Sequence, residues 1–202
     1  NQPRPGHQDM VMMKKTDGKA DLRGGGTSSA RLTAPIVAAA AIISPIIAKL
    51  GIEVNAHVSA IGNVKSKPIA QCPEKWQNVD CQLIRCQDPE AAVDMIKLVE
   101  DHRMNLDSVG SEVELQISDM PMGIGEPWFD GIEPYLARAM MSIPAARGVE
   151  FGEGFAAIEM KGSEHNNPWG GSKDNPVMLG EKPDGALAGL STGSDFFCKV
   201  AF

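Results

Sequence analysis

"DLRGGGTSSARLTAPIVAAAAI" (residues 21–42) runs three glycines into two serines, an arginine and then an unbroken apolar stretch. Glycine lets backbone N–H groups approach a ligand closely, and a helix N-terminus carries partial positive charge. Ser28 or Ser29 suits the N-cap, where a side-chain oxygen accepts from an otherwise unpaired N–H. Arg31 adds a planar fork matched to carboxylate or phosphate. The arrangement reads as an anion site; on these residues alone, a flexible turn, a capped helix and a solvated arginine account for it equally well. The apolar run continues through "APIVAAAAIISPIIA" (34–48), with Pro35 near the first turns, a kink expected at Pro45 and Gly51 as the stop. Its all-round apolar composition predicts a helix over 29–49 in a buried layer. The uncharged run is shorter than the ~20 residues of a membrane span and holds two prolines, so no membrane contact is expected.

On either side of this stretch the period changes. Residues 1–27 are polar, extended and glycine-rich. "IEVNAHVSAIG" (52–62) and "SEVELQIS" (111–118) alternate like half-buried strands. "DPEAAVDMIKLVEDHRM" (88–104) opens with Asp88 as cap and Pro89 at the first helical position. "DGIEPYLARAMMS" (130–142) reads as a short helix, and "GVEFGEGFAAIEMKG" (148–162) and "GALAGLSTGSDFFCKVAF" (185–202) as glycine-interrupted strands. Residues 63–88 are expected to be a surface insertion and 163–184 a long polar loop. Strands mixed with helices predict a layered α/β or α+β domain, one over 1–202.

The 202 residues carry a net charge of -7, which argues against a nucleic-acid binder. Residues 1–34 nevertheless hold six cations against three acids, a basic head that suits a small anion. Cys72, Cys81, Cys86 and Cys198 show no CxxC spacing and no disulfide-scaffold density, which fits a reduced, cytoplasmic chain. No metal-binding pattern is present. "GIGEPW" (123–128) lacks the last glycine of a dinucleotide fingerprint, and no Walker-type loop occurs. "GLSTG" (189–193) matches the GxSxG of serine hydrolases, but that motif needs a helix after the serine, and "SDFFCKVAF" reads as a strand. Among the histidines, His7 stands out: in "RPGHQD" (4–9) it lies beside Arg4 in the basic head, as a proton donor next to an anion site would.

Taken in order, "RPGHQD", "DLRGGGTSSARLTAPIVAAAAI", "GIEVNAHVSAIGNV", "DSVGSEVE", "GIGEPWFDGIE", "MSIPAARGVEFGEGF", "KGSEHNN" and "GALAGLSTG" resemble the chorismate synthases over nearly the whole chain. The resemblance implies the α+β class with a β-α-β sandwich, a homotetramer, and a reduced-FMN-dependent 1,4-anti elimination of phosphate from 5-enolpyruvylshikimate 3-phosphate, with NADPH as a possible reductant. By position, His7 matches the histidine that protonates or holds the reduced flavin, Arg4 and Arg31 match substrate-binding arginines, and Thr27, Ser28 and Ser29 match a flavin-contacting triplet. Pro144 and Ala145 match a second contact pair, and Ala188 stands where many members have a flavin-contacting glycine. Thr27 stands where many have arginine and Leu32 where many have glutamate. Segments of the family on both sides, carrying a second histidine, two arginines and a KPT run, have no counterpart in these residues. The chain therefore reads as the middle of such a protein, with an uncovered seam at Phe196, Phe197 and Phe202. The competing reading from another class is a non-catalytic flavin- or anion-binding or assembly module of the same fold.

Overall fold

A computed structural model describes residues 2–72, 79, 82–180 and 184–202. They form two compact units, 1–42 and 43–202. The first holds a short helix, α1 (Asp9–Lys15), and two 3-10 turns, Gly26–Ser28 and Ala30–Leu32. Helix α2 (Thr33–Lys49) begins in the first unit and ends in the second, with Pro45 inside it.

The second unit is built on an antiparallel five-stranded sheet in the order β2-β1-β3-β9-β4: β1 (Glu53–Ile61), β2 (Val64–Lys65), β3 (Ser111–Ser118), β4 (Gly148–Phe151) and the last strand, β9 (Phe196–Ala201). Helix α3 (Pro89–Met104) starts at Asp88, whose carboxylate accepts from the N–H groups of Glu90 and Ala91. It buries Ala91 and Met95 against Ile61 and Cys86. Helix α4 (Ile132–Met141) lays Ile132, Leu136 and Met140 on the sheet face that presents Ile117, Phe196, Cys198 and Val200. Phe196 is fully buried, with its ring 5.6 Å from that of Phe151. Burial of one such side chain contributes roughly 1.5–3 kcal/mol.

Several expectations change. No residue of α2 is buried, and Ile36, Val37 and Ile42 are more than half exposed. Apolar composition states what cover a helix needs, but other elements must supply it, and α4 already occupies the sheet's apolar face. The helical stretch Ala30–Lys49, 20 residues with mean hydropathy 1.8, is long and apolar enough by length and composition to cross a membrane, a test that the core helix of a soluble protein also passes. Reading only the uncharged run missed the helical turn before it. The expected seam fails at Phe196, which pairs inside the sheet, while Phe197 and Phe202 are half-buried.

The stretch 63–88 is not wholly surface: Ile69, Cys86, Gln87 and Asp88 are buried beneath β1 and β3, while residues 73–78, 80 and 81, including Cys81, lie outside the described residues. Within 163–184, α5 (Gly162–His165) precedes a hairpin of β5 (Trp169–Ser172) and β6 (Asn175–Met178). Gly170, Gly171 and Pro176 obscured its alternation. "GVEFGEGFAAIEMKG" is a strand only over Gly148–Phe151 and then a 3-10 turn, Gly154–Glu159.

Near the start of α4, three glycines meet backbone to backbone. Strands β7 (Ala186–Leu187) and β8 (Leu190–Ser191) turn at Ala188 and Gly189, both at positive φ. The Gly189 carbonyl accepts from Ile132 N at 2.9 Å. A Cβ on Gly125 would stand 2.2 Å from that carbonyl oxygen, and one on Gly131 2.9 Å from Gly189 Cα. Gly125→Ala is accordingly expected to destabilise the protein by about 3 kcal/mol or more. Gly123→Ala, with nothing within 4 Å of its Cβ, should cost only the left-handed backbone term, about 1 kcal/mol. Urea unfolding of both variants checks this, and equal losses would remove the contact as the cause.

Candidate active site

The basic head is organised by one carboxylate. Asp9, 4% exposed, takes two parallel hydrogen bonds from the Arg4 guanidinium, Nε to Oδ2 and Nη2 to Oδ1, both at 2.8 Å, and a third from Arg4 N at 3.0 Å. Arg4 Nη2 also donates to the Gly24 carbonyl at 2.8 Å, and Gln8 Nε2 to that of Gly25 at 3.0 Å. "RPGHQD" is thereby fastened to the glycine loop. His7 Nδ1 lies 2.7 Å from Asp9 Oδ1. The hydrogen bonds from Arg4 hold the Asp9 carboxyl well below the usual carboxylate range, against the opposing effect of burial. An ionised Asp9 accepts Nδ1–H from His7, which fixes the ring's orientation and leaves Nε2 for other chemistry.

Beside these residues lies a cavity of about 540 Å3 lined by Arg4, Asp9, Met13, Asp21, Leu22 and Arg23, among others. Asp21 and Arg23 pair across two residues, which brings the Asp21 carboxyl down to about 2.

The loop itself is built for close backbone approach. Gly24 and Gly26 have positive φ, and a Cβ on Gly25 would lie 2.9 Å from Ser29 Cα. Ser29 is the cap: its hydroxyl accepts from Arg31 N at 3.4 Å, at the start of the Ala30–Leu32 turn rather than of α2 itself. Thr27 and Ser28 are exposed in the preceding turn, and Arg31 is exposed in the following one. Among the described residues, the Arg31 guanidinium forms no hydrogen bond or ion pair.

The remaining sequence-predicted residues belong to the second unit and form no single cluster there. Ala188 is in the β7–β8 turn against the N-terminus of α4, while Pro144 and Ala145 form a turn just beyond its C-terminus. The ten-residue helix between them spans about 15 Å. Ala145 and Ala188 both adopt positive φ, at 73° and 51°. Asp9 was not singled out from the sequence. The available signal was an acid two residues after a histidine and five after an arginine, a pattern too common to stand alone. The hydrolase reading of "GLSTG" fails: Ser191 is buried, accepts from Ile124 N at 2.8 Å, donates to Pro121 O at 2.6 Å, and leads to β9, not to a helix. Among the described residues, no cluster of three or more metal-ligating side chains occurs.

Comparison with known proteins agrees with this architecture. A crystal structure of a chorismate synthase matches with TM-score 0.75 and 26% identity, covering 87% of this chain and 56% of that one, so the α+β fold is shared. The chorismate synthase family model matches residues 1–202. Curated chorismate synthases of Methanosarcina acetivorans and Aeropyrum pernix are each 41% identical, over 201 and 208 residues, covering 100% and 99% of this chain. The chain belongs to the chorismate synthase family. It spans about half the length of these relatives, 54% and 53% respectively.

Because the folded Asp9 value is depressed, the stability from its pairing is present above about pH 4, the ordinary carboxylate value, and is lost as pH falls further. Asp9→Asn should lower hydrogen-exchange protection of the Ser28 and Ser29 amides, which donate to the Gly25 and Gly26 carbonyls of the loop, at pH 7 to the level the unsubstituted protein reaches only in acid. Unchanged protection would show that Arg4–Asp9 does not hold the loop.

Proposed function

We propose that this chain contributes to a chorismate synthase reaction: the 1,4-anti elimination of phosphate from 5-enolpyruvylshikimate 3-phosphate to give chorismate. The observation that carries the reading is the Arg4–Asp9–His7 array fastened to the glycine–serine loop, in a chain of this family. His7 is the catalytic residue, holding or delivering a proton from Nε2 while Asp9, as a positioning residue, keeps Nδ1 engaged. Arg31, exposed at the start of a helical segment, is free to bind a phosphate or carboxylate of the substrate. Arg4, matched by position to a substrate arginine, spends two nitrogens on Asp9 and Gly24, so its contribution to substrate is largely through the placement of His7 and the loop.

The residues suit a flavin mononucleotide as cofactor. Thr27 and Ser28 expose hydroxyl donors, and Ala188 holds the left-handed backbone that a glycine would hold. Ala188 and the Pro144–Ala145 turn, at opposite ends of α4, would meet only an elongated ligand together. Reduced flavin supplies the electron density that weakens an allylic carbon–oxygen bond. The protein's part is to orient the substrate, surround its anions with cations and exclude water. NADPH as reductant, a homotetramer and a cytoplasmic location belong to the same proposal. So does the cover of α2 by protein rather than lipid, which a lack of flotation with phosphatidylcholine vesicles would support.

The test is an anaerobic assay with reduced FMN and 5-enolpyruvylshikimate 3-phosphate, in a protein extended to the relatives' full length. His7→Ala should slow turnover by about 10²–10⁴-fold with substrate affinity little changed. Arg31→Lys should weaken substrate binding by roughly 1.5–3 kcal/mol, because an ammonium cannot replace a two-pronged guanidinium. Near-normal rates and affinities in both would refute these assignments. The 202 residues alone are expected to show neither turnover nor micromolar FMN binding by fluorescence quenching, since a site with one wall leaves its charges wet and screened.

A further inference from the structure

The polar face of the sheet carries a feature that the proposed reaction does not use. Strand register places His57 opposite Glu114, Glu114 opposite Lys199, and Lys199 opposite Glu150, one row of ionisable side chains across β1, β3, β9 and β4. Over the row lies a cavity of about 300 Å3, roofed by the Ile69–Gln71 and Gly154–Glu159 turns. Its apolar wall is Phe197, Pro68, Ala70 and Ala156. That size is at the small end of ligand pockets.

Two of these groups are committed. Glu114, 4% exposed, accepts from Ile69 N at 2.8 Å and from His57 Nε2 at 3.1 Å. The Gln87 N–H donates to His57 Nδ1 at 3.2 Å, which fixes the histidine proton on Nε2. Two others are not fully engaged. Among the described residues, Glu150 Oε2 accepts only from Phe155 N, at 3.2 Å, and the close approach of this turn depends on Gly154, whose Cβ would overlap the Glu150 side chain. The ammonium of Lys199, half-buried on the neighbouring strand, forms no hydrogen bond or ion pair among the described residues.

We propose that this cavity binds a free α-amino acid with an apolar side chain, its carboxylate on Lys199, its ammonium on Glu150, and its side chain on Phe197 and Pro68. A half-buried ammonium and carboxylate on adjacent strands, left unpaired with each other, suit a ligand that carries both opposite charges. Glu114 and Glu150 against one lysine disfavour a polyanion, and Lys199 disfavours a simple cation.

Calorimetric titration of the protein with L-leucine, 4-methylpentanoate and 3-methylbutylamine tests this without reference to turnover. Saturable binding of L-leucine is expected, with each of the other two, which lack one charge, weaker by about tenfold or more. Lys199→Met and Glu150→Gln should each weaken L-leucine by a similar factor, with the far-ultraviolet circular dichroism unchanged. The proposal is overturned if L-leucine shows no saturable binding at millimolar concentration, if either single-charge analogue binds as well, or if binding survives both substitutions. Should a variant fail to fold, the three-ligand series on the unsubstituted protein still decides.

Discussion

The insertion of β9 between β3 and β4 is the constraint on which the larger unit rests. Residues 196–201 hydrogen-bond to a strand more than 75 positions earlier and to another more than 45 earlier. Side chains alternate across a strand, so this register alone puts Phe196, Cys198 and Val200 under α4 and Phe197 and Lys199 on the opposite face. A slip of one residue would exchange the two faces, burying Lys199 and exposing Phe196. The hydrophobic core and the polar row are therefore two consequences of one pairing.

In the smaller unit the comparable role falls to Asp9. A buried carboxylate must be paired, and here it takes three bonds from Arg4 while orienting His7. The same guanidinium reaches the Gly24 carbonyl, so two sequence motifs become one object. Two residues that look like ligand-facing partners in the sequence, Arg4 and His7, thus have different work: one builds the frame and the other is held by it.

Motif matching also has to be separated from packing. Ser191 satisfies the spacing of a nucleophile, yet its hydroxyl is spent on Pro121 and Ile124. The glycines of "GIGEPWFDGIE" resemble part of a phosphate fingerprint, but Gly125 and Gly131 are needed because Gly189 passes against them. Neither use can be told from spacing, because both depend on a partner far away in sequence, 67 and 70 residues from Ser191 in one case.

Local chemistry was legible in the residues themselves. Asp88 and Pro89 marked the start of α3, the alternation of 52–62 and 111–118 marked β1 and β3, and the pair Ser28–Ser29 offered a cap, which Ser29 supplies to the turn before α2. These features depend on neighbours within four positions, which a sequence displays directly. The family was legible as well, because eight ordered blocks constrain it jointly. The tertiary structure alone decided that Asp9 is the buried anchor, that Cys86 and Ile69 belong to the core, that α2 is left uncovered among the described residues, and that His57, Glu114, Lys199 and Glu150 stand in one row. Each of these follows from which distant strand or loop arrives beside which residue, and that choice is set by pairing and packing over the whole chain.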